Sequence, residues 1–400
     1  MPLVAKAGVL WCLVALLALG SWGARACTFH LEEEQIALSK ADIVRATTGN
    51  LIDSPISLFT HGGETYWILP SVLHRRGEAF VYHAVTKGPL SEPTRELIGD
   101  WPEDDFFEGD IGMKWVTNTY QHPDGVLAFV HTEYAGPGQY YGKKITTSDG
   151  KTKTLRGPGH SRIGLAWYPH PDPDNTPPTF RYLGHIIQPH REKRFEAWNV
   201  HGTPYLIHTI NGEEWFYIYF FDAPKTGRQG HTAVARAKVS DVIGAAKSGK
   251  TSPWQKFDHG QWTEGLGGSS SPVTAIHSIV HSDAGTTRTG RHILTTSMMN
   301  NFKGQGNPSQ IFLYDSCTPT NWPEPQREKP VRLPATNEKG RFNIGWQYLS
   351  LVDASGADNG IIGDVFWLYA GYQFARADRK IMRFKFRVGS DCACPAAGPR

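Results

Sequence analysis

One module repeats five times after residue 50, and that repetition constrains the fold more than any other feature of the chain. Each copy has a short apolar stretch, a turn, an aromatic-rich strand, a second turn and an alternating strand. The copies run through SPISLFTHGGETYWILP and EAFVYHAV (54–85), DIGMKWVTNTYQHPDGVLAFVHTEY and SRIGLAWY (110–168), TPYLIHTINGEEWFYIYFFD and TAVARAKV (203–239), AIHSIVHSDAGTTRTGRHILTTSMM and SQIFLYDS (275–316), and WQYLSLVDASGADNGIIGDVFWLYAGY and KIMRFKFRV (346–388). Strand–turn–strand units at a roughly even period signal a radial or stacked architecture. Strands that bury one face only against neighbouring copies point to a β-propeller. The reading is an all-β, single-domain, five-bladed propeller over residues 27–400, with blades near 50–100, 108–190, 198–260, 270–335 and 342–390. Such a fold gathers the innermost strands around one axial funnel, so residues far apart in sequence meet there.

With 42 Gly and 27 Pro in 400 residues, the chain has the punctuation that many short strands require. One stretch of the mature region, VSDVIGAAKSG (239–249), carries a helical period.

Residues 1–26 read as a secretory signal. Lys6 precedes the apolar run 7–20, and Ala24-Arg25-Ala26 forms an A-x-A-type cleavage site. The run is short for a membrane span, so the mature chain is expected to be secreted, extracellular or periplasmic, with no membrane anchor. Removing Lys6 and Arg25 from 41 basic and 38 acidic residues leaves 39 against 38. No basic stripe of the kind a nucleic-acid binder needs is present. A monomer is expected.

Four cysteines remain after the signal: Cys27, Cys317, Cys392 and Cys394. Secretion and an even count favour disulfides. A propeller must join its first and last blades, and a bridge from Cys27 to Cys392 or Cys394 would close the ring; Cys27–Cys392 is the pairing expected first. A bridge using Cys317, and metal binding by the C-x-C pair, stay open as alternatives, the latter without a second ligand pair at suitable spacing.

Three carboxylate-bearing segments sit where blades begin. Asp53 lies in IDSPISLF ahead of GGETYWIL; its structural alternative is a turn residue capping backbone N–H groups. Glu108 and Asp110 lie in FFEGDIGMKW, after the acidic run Glu103, Asp104 and Asp105, which also suits a solvated loop. Blade three opens as RFEAWNVHGTPYLI, with Glu196 and His201. A further constellation ends the second strand of blade two: alternation places His131 and Glu133 on one face and Tyr134 on the other. Arg162 opens the next strand and suits bidentate recognition of a carboxylate. Trp67, Trp115, Trp198, Trp262 and Trp346 lie at or near inner strands or entry loops, although most Trp residues of a propeller pack between blades.

The five-bladed pattern and the D-S-P…GG-E-T-Y-W-I-L entry resemble the glycoside hydrolase superfamily of families 43, 32 and 117. The resemblance is one of architecture over most of the mature chain, not a close sequence match. It implies a carbohydrate-active enzyme that hydrolyses glycosidic bonds of a poly- or oligosaccharide by an inverting two-carboxylate, or carboxylate–His, mechanism. It assigns Asp53 as general base, Asp110 as the residue that tunes pKa, and Glu196 or His201 as general acid. His61, Trp67, His131, Glu133, Tyr134, Arg162, Trp198 and Trp346 are the expected substrate contacts. A calcium ion on the axis is an expectation without a motif. The Glu-x-P entry of that superfamily is absent from blade three, which leaves the acid unassigned between two residues.

Two other classes compete. A polysaccharide lyase would abstract a proton beside a uronate carboxylate, and His61, His83, His131, His201, Tyr134 and Arg162 could supply its groups; those lyases generally have seven blades. A non-catalytic carbohydrate-binding propeller needs aromatic residues but no poised acid–base pair.

Overall fold

The structure is a computed structural model. It describes residues 27–47, 52–75, 78–89, 96–108, 113–133, 144–146, 152–154, 161–174, 177–189, 200–222, 231–274, 280–297, 310–322, 331–332, 346–356, 360–372, 379–390, 392 and 394. Five sheets, antiparallel apart from short edge pairings, form five blades, and the main strands of each run outward along the chain from an innermost strand. Blade one contains Ser57–His61, Glu64–Arg75, Glu78–Lys87 and Glu96–Pro102. Blade two contains Met113–His122, Gly125–Glu133, Ser161–Pro169 and Phe180–Ile187, edged by the parallel strand Phe107–Glu108. Blade three contains Tyr205–Ile210, Glu213–Asp222, His231–Lys238, Gln255–Asp258 and Gln261–Glu264. Blade four contains Val280–Thr287, His292–Ser297, Gln310–Ser316 and Val331–Arg332. Blade five contains Trp346–Asp353, Val365–Tyr372 and Lys380–Val388, and its outermost strand is Phe29–Leu38 from the other end of the chain.

The turns explain the modules. The hairpin of blade three turns at Asn211 and Gly212, both left-handed (φ 53° and 82°), as a two-residue primed turn demands. The period-3.6 stretch forms the helix Val239–Lys247, burying Val239, Val242, Ile243 and Ala246 on one side. A second helix, Lys40–Ala46, follows the N-terminal strand. Its start is set by a capping box in which Ser39 and Asp42 satisfy each other's backbone donors.

The apolar core is divided into five clusters, and each spans one interface between neighbouring blades. Leu58 and Trp67 of blade one, for example, pack with Val352, Tyr369 and Ile381 of blade five. Phe59 and Tyr66 on the other face of blade one pack with Val116 and Ala128 of blade two. Blades two and three, three and four, and four and five share the remaining clusters. A blade therefore buries both faces only when the ring is complete.

Near the axis, hydrogen bonds stitch each inner strand to the next. Thr119 Oγ1 donates to the Leu58 carbonyl at 2.5 Å, and Tyr205 Oη to the Thr119 carbonyl at 2.7 Å. Thr286 Oγ1 donates to the Ile207 carbonyl at 3.0 Å. Asp283 of blade four accepts the Leu351 backbone N–H of blade five at 2.5 Å and the Asn118 side-chain amide of blade two at 3.0 Å. Because Asp283 is buried and holds donors from two other blades, Asp283→Ala is expected to cost about 3 kcal/mol by leaving those donors without an acceptor. Urea unfolding checks this, and a change below about 1 kcal/mol would mean that the bridge is incidental.

Both ends of the ring are locked covalently. Cys27 bonds Cys392 and Cys317 bonds Cys394, with Cα–Cα distances of 4.8 and 5.6 Å. The first is the expected pairing; the second uses the cysteine that sequence reasoning left open.

Candidate active site

In every blade the start of the innermost strand, the end of the second and the start of the third lie on the same face, because successive strands are antiparallel. That face collects Asp53, Trp115, His131, Glu133, Arg162, Tyr348 and Arg379.

Asp53 is placed by local pairing. Ile52 bridges Ser71, and the Asp53 N–H donates to the Pro70 carbonyl at 3.0 Å. Ser54 Oγ then reaches into blade two and donates to the Val116 carbonyl at 3.1 Å, which draws Asp53 to the Trp115 end of that strand. Asp53 keeps part of its surface open while protein closes round it. Burial lifts its carboxyl from 3.8 to about 6, and the charge of Glu133 pushes the same way. A hydrogen bond from Tyr348, the positive side of His131 and the nearby indole N–H of Trp115 pull against that rise.

Glu133 ends the second strand of blade two. It is buried, and its carboxylate lies 3.3 Å from His131 Nε2. Residues two apart on a strand share a face, so the His–Glu pair follows directly from the alternation. His131 is backed by the Trp115 ring, centroids 5.6 Å apart, from the cross-strand position. Arg162 lies opposite Thr132 on the third strand of the blade, one register position from Glu133.

Tyr348 comes from blade five. The ladder between Trp346–Asp353 and Val365–Tyr372 slips between Gln347 and Ser350, a bulge, and Tyr348 within it has φ 55°. An aromatic residue in the left-handed region costs on the order of 1–2 kcal/mol. Its hydroxyl donates to Asp53 Oδ1 at 2.6 Å, joining blades five and one. Burial, the Asp53 charge and hydrogen bond, and Glu133 hold this phenol well above the ordinary tyrosine range, with Arg379 opposing. Tyr348 therefore stays protonated and remains a donor.

Blade three adds a cluster that the sequence reading missed. Asp222 ends its second strand, as Glu133 ends that of blade two, and pairs across the ladder with His231. Ser270 Oγ donates to Asp222 Oδ2 at 2.6 Å and lies 3.0 Å from His231 Nε2. A carboxylate can only accept, so the hydroxyl proton points to Asp222 and Ser270 accepts from His231. The buried amine of Lys256, 3.9 Å from Asp222, donates to the Gln188 and Gly268 carbonyls.

Other expected residues lie elsewhere. His61 is at the hairpin end of its strand, beside Glu64, eight residues from Asp53 and so roughly 25 Å along an extended chain. His83 is fully buried, stacks on Phe106 and accepts the Val116 N–H; burial drops its pKa to about 3. Two of the histidines named for lyase chemistry are thus split between the far face and the core. Trp67 and Trp346, expected as sugar platforms, are core residues: Trp67 lies against Tyr369 and donates to the Gly88 carbonyl, and Trp346 packs on Tyr372 and Phe384. Trp262 stacks on the Arg236 guanidinium. Glu108 is exposed on the outer edge strand of blade two. His201 pairs with Phe221 in the short strand Val200–His201. Asp110, Tyr134, Glu196 and Trp198 lie outside the described residues. Among the described residues no three His, Cys, Asp or Glu side chains gather as a metal cage, so the calcium expectation gains no site.

No family model and no curated protein matches the chain. Among solved structures it is similar to a thermostable family-43 glycoside hydrolase, at 12% identity and a TM-score of 0.44, covering 88% of this chain and 97% of that one. It is similar to the GH43_1 enzyme from Xanthomonas citri complexed with xylose, at 12% identity and a TM-score of 0.44, covering 89% and 94%. It is also similar to a Penicillium chrysogenum alpha-L-arabinanase complexed with arabinobiose, at 11% identity and a TM-score of 0.42, covering 91% and 99%. The assignment of five blades rests on the sheets and interfaces of this chain.

Proposed function

We propose that this chain hydrolyses glycosidic bonds of a poly- or oligosaccharide, with Asp53 as the general base. The observation that carries the reading is the Asp53 carboxyl itself. It sits at the head of the innermost strand of blade one, with its pKa lifted to about 6 beside Glu133 and the His131–Trp115 pair. A carboxylate with that pKa is mostly ionised at neutral pH yet basic enough to take a proton from water as the water attacks the sugar. The partner acid protonates the departing glycosidic oxygen. We assign that acid to blade three, to Glu196 or His201, and the tuning charge to blade two. Glu133 supplies such a charge from a described position, and Asp110 remains a second candidate. Arg162 is assigned to substrate contact. Residues 1–26 are read as a cleaved signal, and two disulfides suit the oxidising compartment to which it would lead.

The test is a polysaccharide panel read twice per reaction, by reducing-sugar release and by absorbance of unsaturated uronates. Reducing ends without that absorbance are the expected result. Absorbance rising with the reducing ends would replace hydrolysis by lyase chemistry. Binding without either product, detected by calorimetry on the same panel, would identify a binding module.

A further inference from the structure

We propose that Tyr348 is the positioning residue for Asp53, and that the bulge in the inner strand of blade five exists to deliver its hydroxyl. The inference rests on the reading of Asp53 as base. Three observations carry it. An aromatic residue at φ 55° is an outlier for which the surrounding strand must compensate. It sits inside a ladder slip, the device by which sheets re-aim a single side chain. The side chain so aimed ends 2.6 Å from one oxygen of Asp53, across a blade boundary. Strained residues of this kind cluster at functional sites, and the reasoning runs from the observed outlier to its use.

The consequence is geometric. Tyr348 occupies Oδ1 of Asp53 as a permanent donor, which fixes the carboxylate plane and leaves Oδ2 to take the proton from water. The phenol itself transfers nothing. The other groups facing this carboxylate are Glu133, His131 and Trp115 from blade two, while Arg379 faces Tyr348 from blade five.

The experiment needs no substrate. The Asp53 carboxyl is followed by infrared difference spectroscopy on the full-length chain as pH changes, with Asp53→Asn subtracted to assign the band. The wild-type midpoint is expected near 6. In Tyr348→Phe, which keeps the ring, the midpoint is expected to rise by about one pH unit, because the lost hydrogen bond favoured the ionised form. Tyr348→Gly, which suits the left-handed backbone, guards against a folding defect in the first variant; it loses the same hydrogen bond but lets water into the vacated space, so a smaller rise is expected. An unmoved midpoint in a folded Phe or Gly variant would overturn the proposal. Failure of the base reading looks different: Asp53→Asn would retain turnover while the Tyr348 variants still shifted the titration.

Discussion

Asp53→Asn is expected to lower turnover by at least a hundredfold, and by up to about 10⁴, while leaving the chain more stable than wild type at pH 8. The two effects share one cause. In the folded chain the carboxyl titrates near 6, against 3.8 for an unperturbed Asp, so the native state holds a proton that the unfolded state has released. Stability is therefore highest below pH 3.8 as far as this group is concerned. It declines as pH rises through that window, and above about 6 the ionised, buried group costs roughly 2–3 kcal/mol. Asparagine carries no charge at any pH. Its melting temperature should exceed the wild type's at pH 8, and the gap should close by pH 4. A gap independent of pH would mean that Asp53 is not buried as an acid in solution. In wild type, kcat/KM should fall on the acid side with a midpoint near pH 6, as the base is protonated.

Cys27→Ser combined with Cys392→Ser is expected to be strongly destabilising while leaving the face with Asp53 untouched. The bridge spans 365 residues and pins the outermost strand of blade five beside its partner, Lys380–Val388. Loss of a native disulfide of this kind costs about 2–5 kcal/mol. The Cys317–Cys394 bridge spans 77 residues, and loop-closure entropy makes its loss about 1.4 kcal/mol smaller. Urea unfolding of the two double variants measures the difference. Equal losses would show that local packing around the sulfurs, rather than chain closure, sets the stabilisation.

Sequence reading recovered the blades because their signals are local. Asn211-Gly212 announces a hairpin, and alternation in Gly125–Glu133 puts His131 and Glu133 on one side without reference to anything distant. Asp53 could be nominated because it precedes an inner strand. What escaped was partnership. Tyr348 lies 295 residues from the carboxylate it holds, and no residue type marks a bulge that forces an aromatic side chain into the left-handed region. Trp67 and Trp346 were misplaced because alternation tells which face a residue occupies, not whether the next blade covers it. His61 and His83 were both named for lyase chemistry, but the chain reverses twice between them and leaves one at the hairpin and the other in the core. Asp222 and His231 did carry a signal. They hold the strand-end and strand-start positions of blade three that Glu133 and Ser161 hold in blade two.

The N-terminal strand in blade five sets the order of assembly. Phe29–Leu38 is synthesised well before the strand it pairs with, Lys380–Val388. Contact between segments so far apart carries a large entropic penalty until the intervening blades are in place, so ring closure is expected to be the slow, terminal step of folding. A chain stopped before residue 380 would leave blade five with a single described pair of strands and both neighbouring interfaces half covered. Conversely, because Phe29 lies opposite Val388 on one blade, a short linker could join these two strand ends and new ends could be opened at another hairpin tip, giving a circularly permuted chain that keeps every blade intact.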